Sequence, residues 1–247
     1  MADFIFGRQP VLEALKAGQP IEKIMVQHGT HGSAIDSIYK LAKQNGIPVT
    51  QAGKERFREL SQEKNTQGVI AVAGAKAYAE LEDILAVAQG RNEPAFVLIL
   101  DEIEDPQNLG ALIRTAECAG THGVVIPKHH AATVNDTVMK TSAGAAAHIA
   151  IARVSNIVHA IEDLKRSGTW IIGADMDAKG LYHQADFKGP VGIVIGNEGR
   201  GLRRLVKENC DFLVSIPLFG KIQSLNASVA GGLMLYEVAK QRHAAER

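Results

Sequence analysis

The feature that most constrains this chain is a series of six short apolar segments, which alternate with helical segments after residue 94. Continuous apolar runs of this length are typical of strands buried on both faces of a parallel sheet. The pattern therefore predicts an α/β fold, with a mostly parallel sheet and helices on both of its faces. The predicted strands are 95–100, 123–126, 149–154, 170–174, 191–195 and 212–216.

A second alternation of shorter apolar runs and helical patterns occupies residues 4–73. A segment of this length is enough for a small α/β domain. Residues 90–94, Gly-Arg-Asn-Glu-Pro, then form a strong break. We predict a small domain at 1–76, a connector at 77–93 and a larger domain at 94–247. The acidic helix of the connector is also a candidate for the first element of the larger domain.

Composition narrows the classes of function. The 27 basic and 27 acidic residues cancel, which argues weakly against a nucleic-acid partner. Residues 1–77, however, carry 10 basic and 7 acidic residues, so a neutral total can conceal a basic face. No segment approaches the ~20 apolar residues of a membrane span, and the first residues lack a signal-peptide pattern. Two lone cysteines, Cys118 and Cys210, suit a reducing cytosol, and we expect a cytoplasmic protein without membrane contact.

Three polar loops that contain glycine follow predicted strands, at 101–110, 196–201 and 217–226. Ligands of parallel sheets bind beyond the carboxyl ends of the strands, so these loops are candidate binding loops. The loop Gly-Asn-Glu-Gly-Arg-Gly at 196–201 is neither the dinucleotide fingerprint nor a Walker loop. On its own it favours a tight strand-to-helix turn by roughly two to one. Glu198 within it has little structural purpose beyond capping the next helix.

The segment 215–237 combines a short strand, a loop and the start of a helix. Ser224 and Asn226 place donors and acceptors at that helix start, where they could cap the helix or grip a ligand. The adjacent Gly231 and Gly232 each cost about 1 kcal/mol in a helix relative to Ala. We expect them where another backbone or a ligand comes very close.

Arg114 lies in the helix predicted after the first loop. Single arginines are usually surface cations, here paired with Glu117 or with an acid of the preceding loop. The alternative is that Arg114, at the edge of the buried face, reaches the strand ends. No paired Cys-x-x-Cys, His-Glu-x-x-His or Gly-x-Ser-x-Gly motif is present, so neither a metal site nor covalent catalysis is indicated.

Three segments together resemble the SpoU/TrmH branch of the SPOUT class of RNA ribose methyltransferases. They are LDEIEDPQNLGALIRTAECAG (100–120), VIGNEGRGL (194–202) and SIPLFGKIQSLNASVAGGLMLYE (215–237). FGRQPVLEAL (6–15) and QGVIAVA (67–73) are similar to the family's small RNA-binding domain of ribosomal-protein L30 type. The arrangement is most similar to 23S ribosomal RNA guanosine-2′-O-methyltransferases of RlmB type.

This resemblance implies several properties. The C-terminal chain would form a trefoil knot that binds S-adenosylmethionine (SAM). The knotted domains would form a homodimer, in which both subunits can contribute to one active site. The residues that match the family's sites are Gly196, Ile216 and Leu225 for SAM, and Asn108, Arg114, Glu198, Ser224 and Asn226 for catalysis. The basic residues Arg8, Lys54, Arg56 and Arg58 are expected to contact RNA.

The implied reaction transfers a methyl group to a ribose 2′-hydroxyl, which must lose its proton in or before the transition state. The family's candidate for this step matches Arg114, but a guanidinium is effectively always protonated. The alternative is that Arg114 binds a phosphate and stabilises the developing oxyanion. Glu198 could orient Arg114 or accept the proton through water. Ser224 and Asn226 would then set the start of the final helix and the cofactor loop.

Three other functions remain open from the sequence. Transfer RNA is the alternative substrate within the same family. An RNA-binding protein without catalysis is a more distant alternative, and the presence of Arg114 and Asn226 argues against it. A nicotinamide-dependent oxidoreductase is compatible with the strand pattern, but the chain lacks the corresponding glycine fingerprint.

Overall fold

A computed structural model describes residues 4–17, 21–61, 65–73, 78–222 and 224–243. The chain divides into two compact units, Met1–Ala77 and Tyr78–Arg247. No helix in the described ranges is long and apolar enough to cross a membrane.

The smaller unit contains a four-stranded sheet and three helices. Its elements are β1 (Phe4–Phe6), α1 (Arg8–Lys16), β2 (Ile21–Gln27), α2 (Ser33–Gln44), β3 (Val49–Ala52), α3 (Lys54–Ser61) and β4 (Val69–Ala73). The strand order is β1-β4-β2-β3. Strand β4 pairs antiparallel with β1 and β2, whereas β2 and β3 are parallel.

The two faces of this sheet are covered differently. Ile24 and Val26 of β2 face α1 and α2 in one hydrophobic cluster. Met25, between them, packs with Phe57 of α3 in a second cluster. The alternation follows from the period of two residues along a strand. It confirms the small α/β unit expected for this part of the chain.

The larger unit contains a seven-stranded sheet. Its elements are α4 (Leu81–Arg91), β5 (Phe96–Asp101), α5 (Pro106–Cys118), β6 (Gly123–Pro127), α6 (Asp136–Thr141), α7 (Ala145–His148), β7 (Ala150–Val154), α8 (Ile157–Arg166), β8 (Trp170–Ala174), β9 (Gly180–Leu181), a 3-10 turn (Tyr182–Gln184), β10 (Val191–Gly196), α9 (Arg204–Asn209), β11 (Phe212–Ser215) and α10 (Ala227–His243). All six predicted strands are present. The sequence did not predict β9, because its two residues form no apolar run.

All seven strands are parallel, in the order β7-β6-β5-β10-β8-β11-β9. Helices α5, α6, α7 and α10 contribute to the hydrophobic cluster on one face. Helices α4, α8 and α9 contribute to the cluster on the other. The α/β fold with helices on both faces is therefore confirmed. Within the segment 77–93, Leu81 and Ile84 of α4 are buried in the second cluster, so this helix packs as part of the larger unit.

Side-chain caps fix two helix starts in the larger unit. Helix α5 begins at Pro106, because the Asp105 carboxylate accepts hydrogen bonds from the Gln107 and Asn108 amides. Helix α6 begins at Asp136, because Asn135 caps it. In each case a side-chain acceptor satisfies amides that lack a partner within the helix.

The strand order decides which loops meet. Strand β10 lies between β5 and β8, with Gly196 opposite Asp101. The loops that follow β5 and β10 therefore leave neighbouring strands at the carboxyl edge of the sheet, although about 90 residues separate them in sequence.

Candidate active site

Three polar side chains meet beyond the carboxyl ends of β5 and β10. They come from the first turn of α5, the loop after β10 and the segment before α10. The Asn108 Nδ2 donates to Glu198 Oε1 at 2.8 Å. The Asn226 Nδ2 donates to Asn108 Oδ1 at 3.0 Å and also to Glu198 Oε1. We call Asn108, Glu198 and Asn226 the polar triad. All three were predicted to belong to one active site, and the structure brings them into direct contact.

The loop that carries Glu198 is a tight turn. Asn197 and Gly201 exchange two main-chain hydrogen bonds, of 3.1 and 2.8 Å. The Asn197 Oδ1 accepts from the Gly199 amide at 3.0 Å and closes the turn from inside. A Cβ at Gly196 would lie 2.4 Å from the carbonyl carbon of Gly201, so any larger residue would force this turn open. The glycine pattern thus serves the turn itself, which exposes the Glu198 side chain at its tip.

Glu198 caps a helix, but a different one from the helix expected. Its Oε1 accepts a hydrogen bond from the Ala227 amide at 3.2 Å, at the start of α10 and not of α9. The sequence could not indicate this, because a cap is usually local and here the two residues are 29 apart.

Asn226 caps the final helix, as considered from the sequence, and also contacts the other two residues of the polar triad. Its Oδ1 accepts from the Ser228 and Val229 amides, at 2.9 and 3.3 Å, and caps α10. Its Nδ2 remains directed at Asn108 and Glu198. One amide side chain therefore both begins the helix and completes the polar triad.

Asp101 is a supporting residue that the sequence analysis did not select. Its carboxylate is fully buried at the end of β5, and it accepts from the Arg203 amide at 2.9 Å and from Arg203 Nε at 2.7 Å. These bonds anchor the end of the loop that carries Glu198 to the strand that leads to Asn108. The available signal was a carboxylate at the last position of an apolar strand.

A cavity of about 210 Å³ lies beside the triad, beyond the ends of β8, β10 and β11. Its walls include all three predicted SAM residues, Gly196, Ile216 and Leu225, together with Glu198 and Ser224. Apolar side chains thus form one wall, and main-chain groups of the two loops form another. The rim adds an ion pair between Lys207 and the largely buried Asp175.

Of the paired glycines of α10, Gly231 packs against helix α5 and does not face this cavity. A Cβ at Gly231 would lie 2.3 Å from Cδ2 of Leu112, which belongs to α5. At Gly232 the nearest atom would be Cγ2 of Thr115, at 3.8 Å, also on α5. The close neighbour of Gly231 is therefore a side chain of another helix, where a backbone or a ligand was expected. At Gly232 that expectation stays a prediction.

Arg114 lies outside the triad. Its side chain is exposed on α5, and it has no hydrogen bond or ion pair with the described residues. The expected surface pairing with Glu117 is therefore not formed. The suggestion that Glu198 orients Arg114 is also wrong within one chain, because the partners of Glu198 are Asn108, Asn226 and the Ala227 amide.

The four basic residues predicted to contact RNA lie in the smaller unit. Lys54, Arg56 and Arg58 are exposed on α3. Arg56 forms an ion pair with Glu59 at 2.9 Å. Arg8 is half-buried, and its Nε donates to the Gln67 carbonyl at 2.9 Å.

Comparison with known protein families shows which family the chain is related to. The model of the SpoU rRNA methylase family matches residues 95–236, more than half of the chain. The chain belongs to this family. A second model, for RNA 2′-O ribose methyltransferase substrate binding, matches residues 4–79. The two matches fall on the two structural units, and the resemblance inferred from the three loop segments is confirmed.

Individual SpoU relatives are similar over nearly the whole chain. YacO of Bacillus subtilis, assigned to the TrmH family of tRNA/rRNA methyltransferases, is 42% identical over 98% of this chain and 96% of its own length. The SpoU methyltransferase AviRb of Streptomyces viridochromogenes, solved with AdoMet, has a TM-score of 0.71 and 25% identity, covering 98% of this chain and 90% of its own. An AdoMet-bound rRNA methyltransferase of Sinorhizobium meliloti has a TM-score of 0.70 and 25% identity, covering 96% and 86%.

Proposed function

We propose that this SpoU-family methyltransferase transfers a methyl group from SAM to the ribose 2′-hydroxyl of a guanosine in 23S ribosomal RNA. The observation that carries the proposal is the polar triad at the rim of a cavity that contains every residue expected to hold SAM. Two separate family resemblances, one for each structural unit, support RNA as the substrate.

The cavity residues suit SAM as cofactor. Ile216 and Leu225 offer apolar contact for a flat ring, and the main chain at Gly196 offers hydrogen bonds to its edge. Asp175 at the rim is an acceptor for hydroxyl groups. When bound, SAM supplies an electrophilic methyl group on a sulfonium. The role of the chain is then to hold the acceptor hydroxyl in line, which can contribute up to about 7–11 kcal/mol in favourable cases.

Glu198 is our candidate for the proton acceptor, acting through water. Its Oε1 is held by three donors, from Asn108, Asn226 and the Ala227 amide. Its Oε2 has no hydrogen-bond partner among the described residues, and the side chain is exposed. One carboxylate oxygen thus fixes the orientation, and the other stays available for a water molecule on the 2′-hydroxyl.

We assign Arg114 the role of binding a phosphate or of stabilising the developing oxyanion, because its guanidinium stays protonated. Its exposure outside the triad suggests that it serves the site of a second subunit. Helix α10 leaves Val229, Leu233 and Tyr236 exposed at helical spacing, as expected of a dimer interface. We therefore propose a homodimer through the larger unit. The trefoil knot implied by the resemblance is proposed for the same unit.

Complementation between two inactive variants tests the dimer. Arg114→Ala is expected to abolish transfer and Glu198→Ala to reduce it about 10²–10³-fold, while SAM still binds to both. Subunits reassorted at equal amounts should recover about a quarter of the wild-type activity, since half of the dimers then carry one complete site. No recovery from verified mixed dimers would place Arg114 at the site of its own chain. A near-normal rate for Arg114→Lys would contradict a bidentate role.

Transfer RNA is the second candidate substrate. A TrmH/SpoU tRNA modifying enzyme of A. aeolicus has a TM-score of 0.58 and 26% identity. Its match covers only 67% of this chain, whereas that of the Sinorhizobium rRNA methyltransferase covers 96%. Residues 4–79 of this chain match the substrate-binding model, and there we propose RNA contacts at Arg8, Lys54, Arg56 and Arg58. This difference in coverage favours ribosomal RNA.

The deciding experiment incubates the purified protein and methyl-labelled SAM with three substrates. These are deproteinised ribosomal RNA, transfer RNA and large ribosomal subunits from cells that lack the enzyme. Mapping of the labelled nucleotide should find one guanosine ribose in 23S RNA. Label confined to transfer RNA would contradict the proposed substrate, and label on a base would contradict the proposed acceptor atom.

A further inference from the structure

A second cavity lies in the larger unit, on the face of the sheet opposite α10. Its volume is about 850 Å³, and it lies between the carboxyl ends of β6 and β7 and the first turns of α8 and α9. Among the described residues that line it, none is acidic. We call it the histidine groove, because its lining includes His129, His130 and His159, together with Arg203 and Arg204.

The three histidines are available to a ligand. All are exposed, and none has a hydrogen bond or ion pair with the described residues. They do not form a group that could hold a metal ion within the described part of the chain. Each imidazole carries an N–H that can donate to an anionic oxygen whether the ring is neutral or charged. The three imidazoles therefore offer N–H donors that no carboxylate of the described residues occupies.

The two arginines differ in their freedom. Arg203 is held by the buried Asp101, so it forms a fixed wall of the groove. Arg204 is 81% exposed and pairs only with Glu208, which is 52% exposed, at 3.1 Å. An exposed ion pair one helical turn apart contributes little to stability, so the Arg204 guanidinium can leave the Glu208 carboxylate and bind another anion. Arg204 is therefore the mobile cation of the groove.

The position of the groove relative to the polar triad indicates its ligand. The SAM cavity lies at the ends of β8, β10 and β11, and the groove lies at the ends of β6 and β7. The triad is carried by loops that leave β5 and β10, between the two cavities, and by the segment before α10. An acceptor strand that reaches the triad from the side away from SAM would thus run along the groove.

We propose that the histidine groove binds phosphates of the RNA strand that flank the methylated nucleotide. The inference rests on the proposed RNA methylation. Imidazole and guanidinium donors suit phosphate oxygens, and the absence of lining acids favours a polyanion. Binding here would hold the target ribose against the triad without contact to the base, so the groove would add affinity and positioning more than sequence selection.

Direct binding measurements on the full-length protein test the proposal. The probes are fluorescently labelled deproteinised ribosomal RNA, transfer RNA and intact large ribosomal subunits, titrated at several KCl concentrations. The groove variants are Arg204→Glu and the triple variant His129→Ala, His130→Ala, His159→Ala. The matched controls are Arg166→Glu, which is also an exposed arginine paired within its helix, and His148→Ala, which is an exposed histidine elsewhere.

Both groove variants should weaken binding of ribosomal RNA about tenfold, and Arg204→Glu should reduce the salt slope by about one. The controls should stay within twofold, and SAM affinity should be unchanged in all four proteins. Wild-type-like RNA affinity in both groove variants would overturn the proposal. A loss seen only with intact ribosomal subunits would assign the groove to a protein partner and would also overturn it.

Together with the methylation experiment described above, these binding measurements separate this inference from the proposed function. If the wild type binds ribosomal RNA through the groove but methylates none of the three substrates, the proposed reaction fails and the groove stands. If the wild type methylates 23S RNA and the groove variants bind like the controls, the groove fails and the reaction stands.

Discussion

The two ends of the seven-stranded sheet use polar side chains in different ways. At the carboxyl end, Asn108, Glu198 and Asn226 bond to one another across loops and remain at least partly exposed. At the amino end, His122 and Arg242 bond mainly to the main chain and are buried or half-buried. We therefore expect substitutions at the carboxyl end of the sheet to reduce activity, and substitutions at the amino end to reduce stability.

Arg242 shows the amino-end pattern most clearly. It comes from the end of α10, and it donates to four carbonyls, those of Pro94 at 2.8 Å, Ala95 at 3.0 Å, Gly189 at 2.7 Å and Phe187 at 3.3 Å. Its guanidinium also lies over the ring of Phe96, 5.0 Å from the centroid. Burial lowers the pKa of Arg242 from its usual value, and the nearby Glu93 opposes this shift. The helix that begins at the active site is thus fastened at the opposite edge of the sheet.

The largest expected effect is on activity, from Glu198→Ala. The substitution leaves Asn108, Asn226 and the start of α10 without their shared acceptor, and we expect the rate of methyl transfer to fall about 10²–10³-fold. The free energy of unfolding should fall by only about 1 kcal/mol, as for loss of a helix cap. Single-turnover transfer and urea unfolding measure the two quantities. Glu117→Ala, an exposed acid of α5, is the control. A rate within threefold of the wild type would contradict the role of the triad.

The next effect is on stability, from Arg242→Ala. Hydrogen bonds to charged groups contribute about 1.5–3 kcal/mol each, and four carbonyls lose theirs together. Because the vacated site can admit water, we expect a loss of about 2–4 kcal/mol in the free energy of unfolding. The activity of the folded fraction should stay within twofold. Arg166→Ala should change stability by less than about 0.5 kcal/mol. A large loss of activity in fully folded Arg242→Ala would break the distinction between the two ends.

A smaller effect is the pH dependence of the free energy of unfolding that His122 contributes. His122 accepts a hydrogen bond from the Phe96 amide at Nδ1, at 2.9 Å, so the proton resides on Nε2, 2.9 Å from Glu93. Burial lowers the pKa of His122 below its ordinary value of 6.5, although the bond to Glu93 opposes the shift. The unfolded chain therefore binds a proton at higher pH than the folded protein does. This contribution to stability is complete above pH 6.5 and is lost as the pH falls from there through the lowered pKa.

Unfolding of the wild type and of His122→Gln between pH 5 and 8 measures this contribution. The difference in their free energies of unfolding should shrink as the solution becomes more acidic. His148→Gln should run parallel to the wild type over the same range. A difference that is constant with pH would show that His122 does not titrate as its burial requires.

The smallest effect is chemical and leaves the fold intact. Burial raises the pKa of Cys210 to about 12, and its thiol donates to the Val206 carbonyl. Cys118 is exposed. A disulfide reagent at pH 8 should therefore modify one thiol rapidly and the second only on unfolding. The Cys118→Ser variant should show no rapid reaction, and rapid modification of Cys210 would contradict its burial.

Much of the architecture was predictable because its signals are local. Apolar runs of four to six residues that alternate with helical segments are typical of strands buried on both faces, and all six predicted strands were found. Polar, glycine-containing loops stand out at strand ends, and Asn108, Glu198 and Asn226 could be selected from them. The segments at 100–120, 194–202 and 215–237 were specific enough, in combination, to predict the family.

Other features depended on tertiary structure, because they join residues far apart in sequence. The order of strands placed β10 beside β5, and only this adjacency brings Glu198 to Asn108, 90 residues away, and Arg203 to Asp101, 102 residues away. The same packing set Gly231 against Leu112 and gave Glu198 the cap of α10 instead of α9. Sequence determined the elements and the chemically active loops, since both follow from neighbouring residues. The sheet decided which loops face each other, since that depends on how apolar surfaces are buried together.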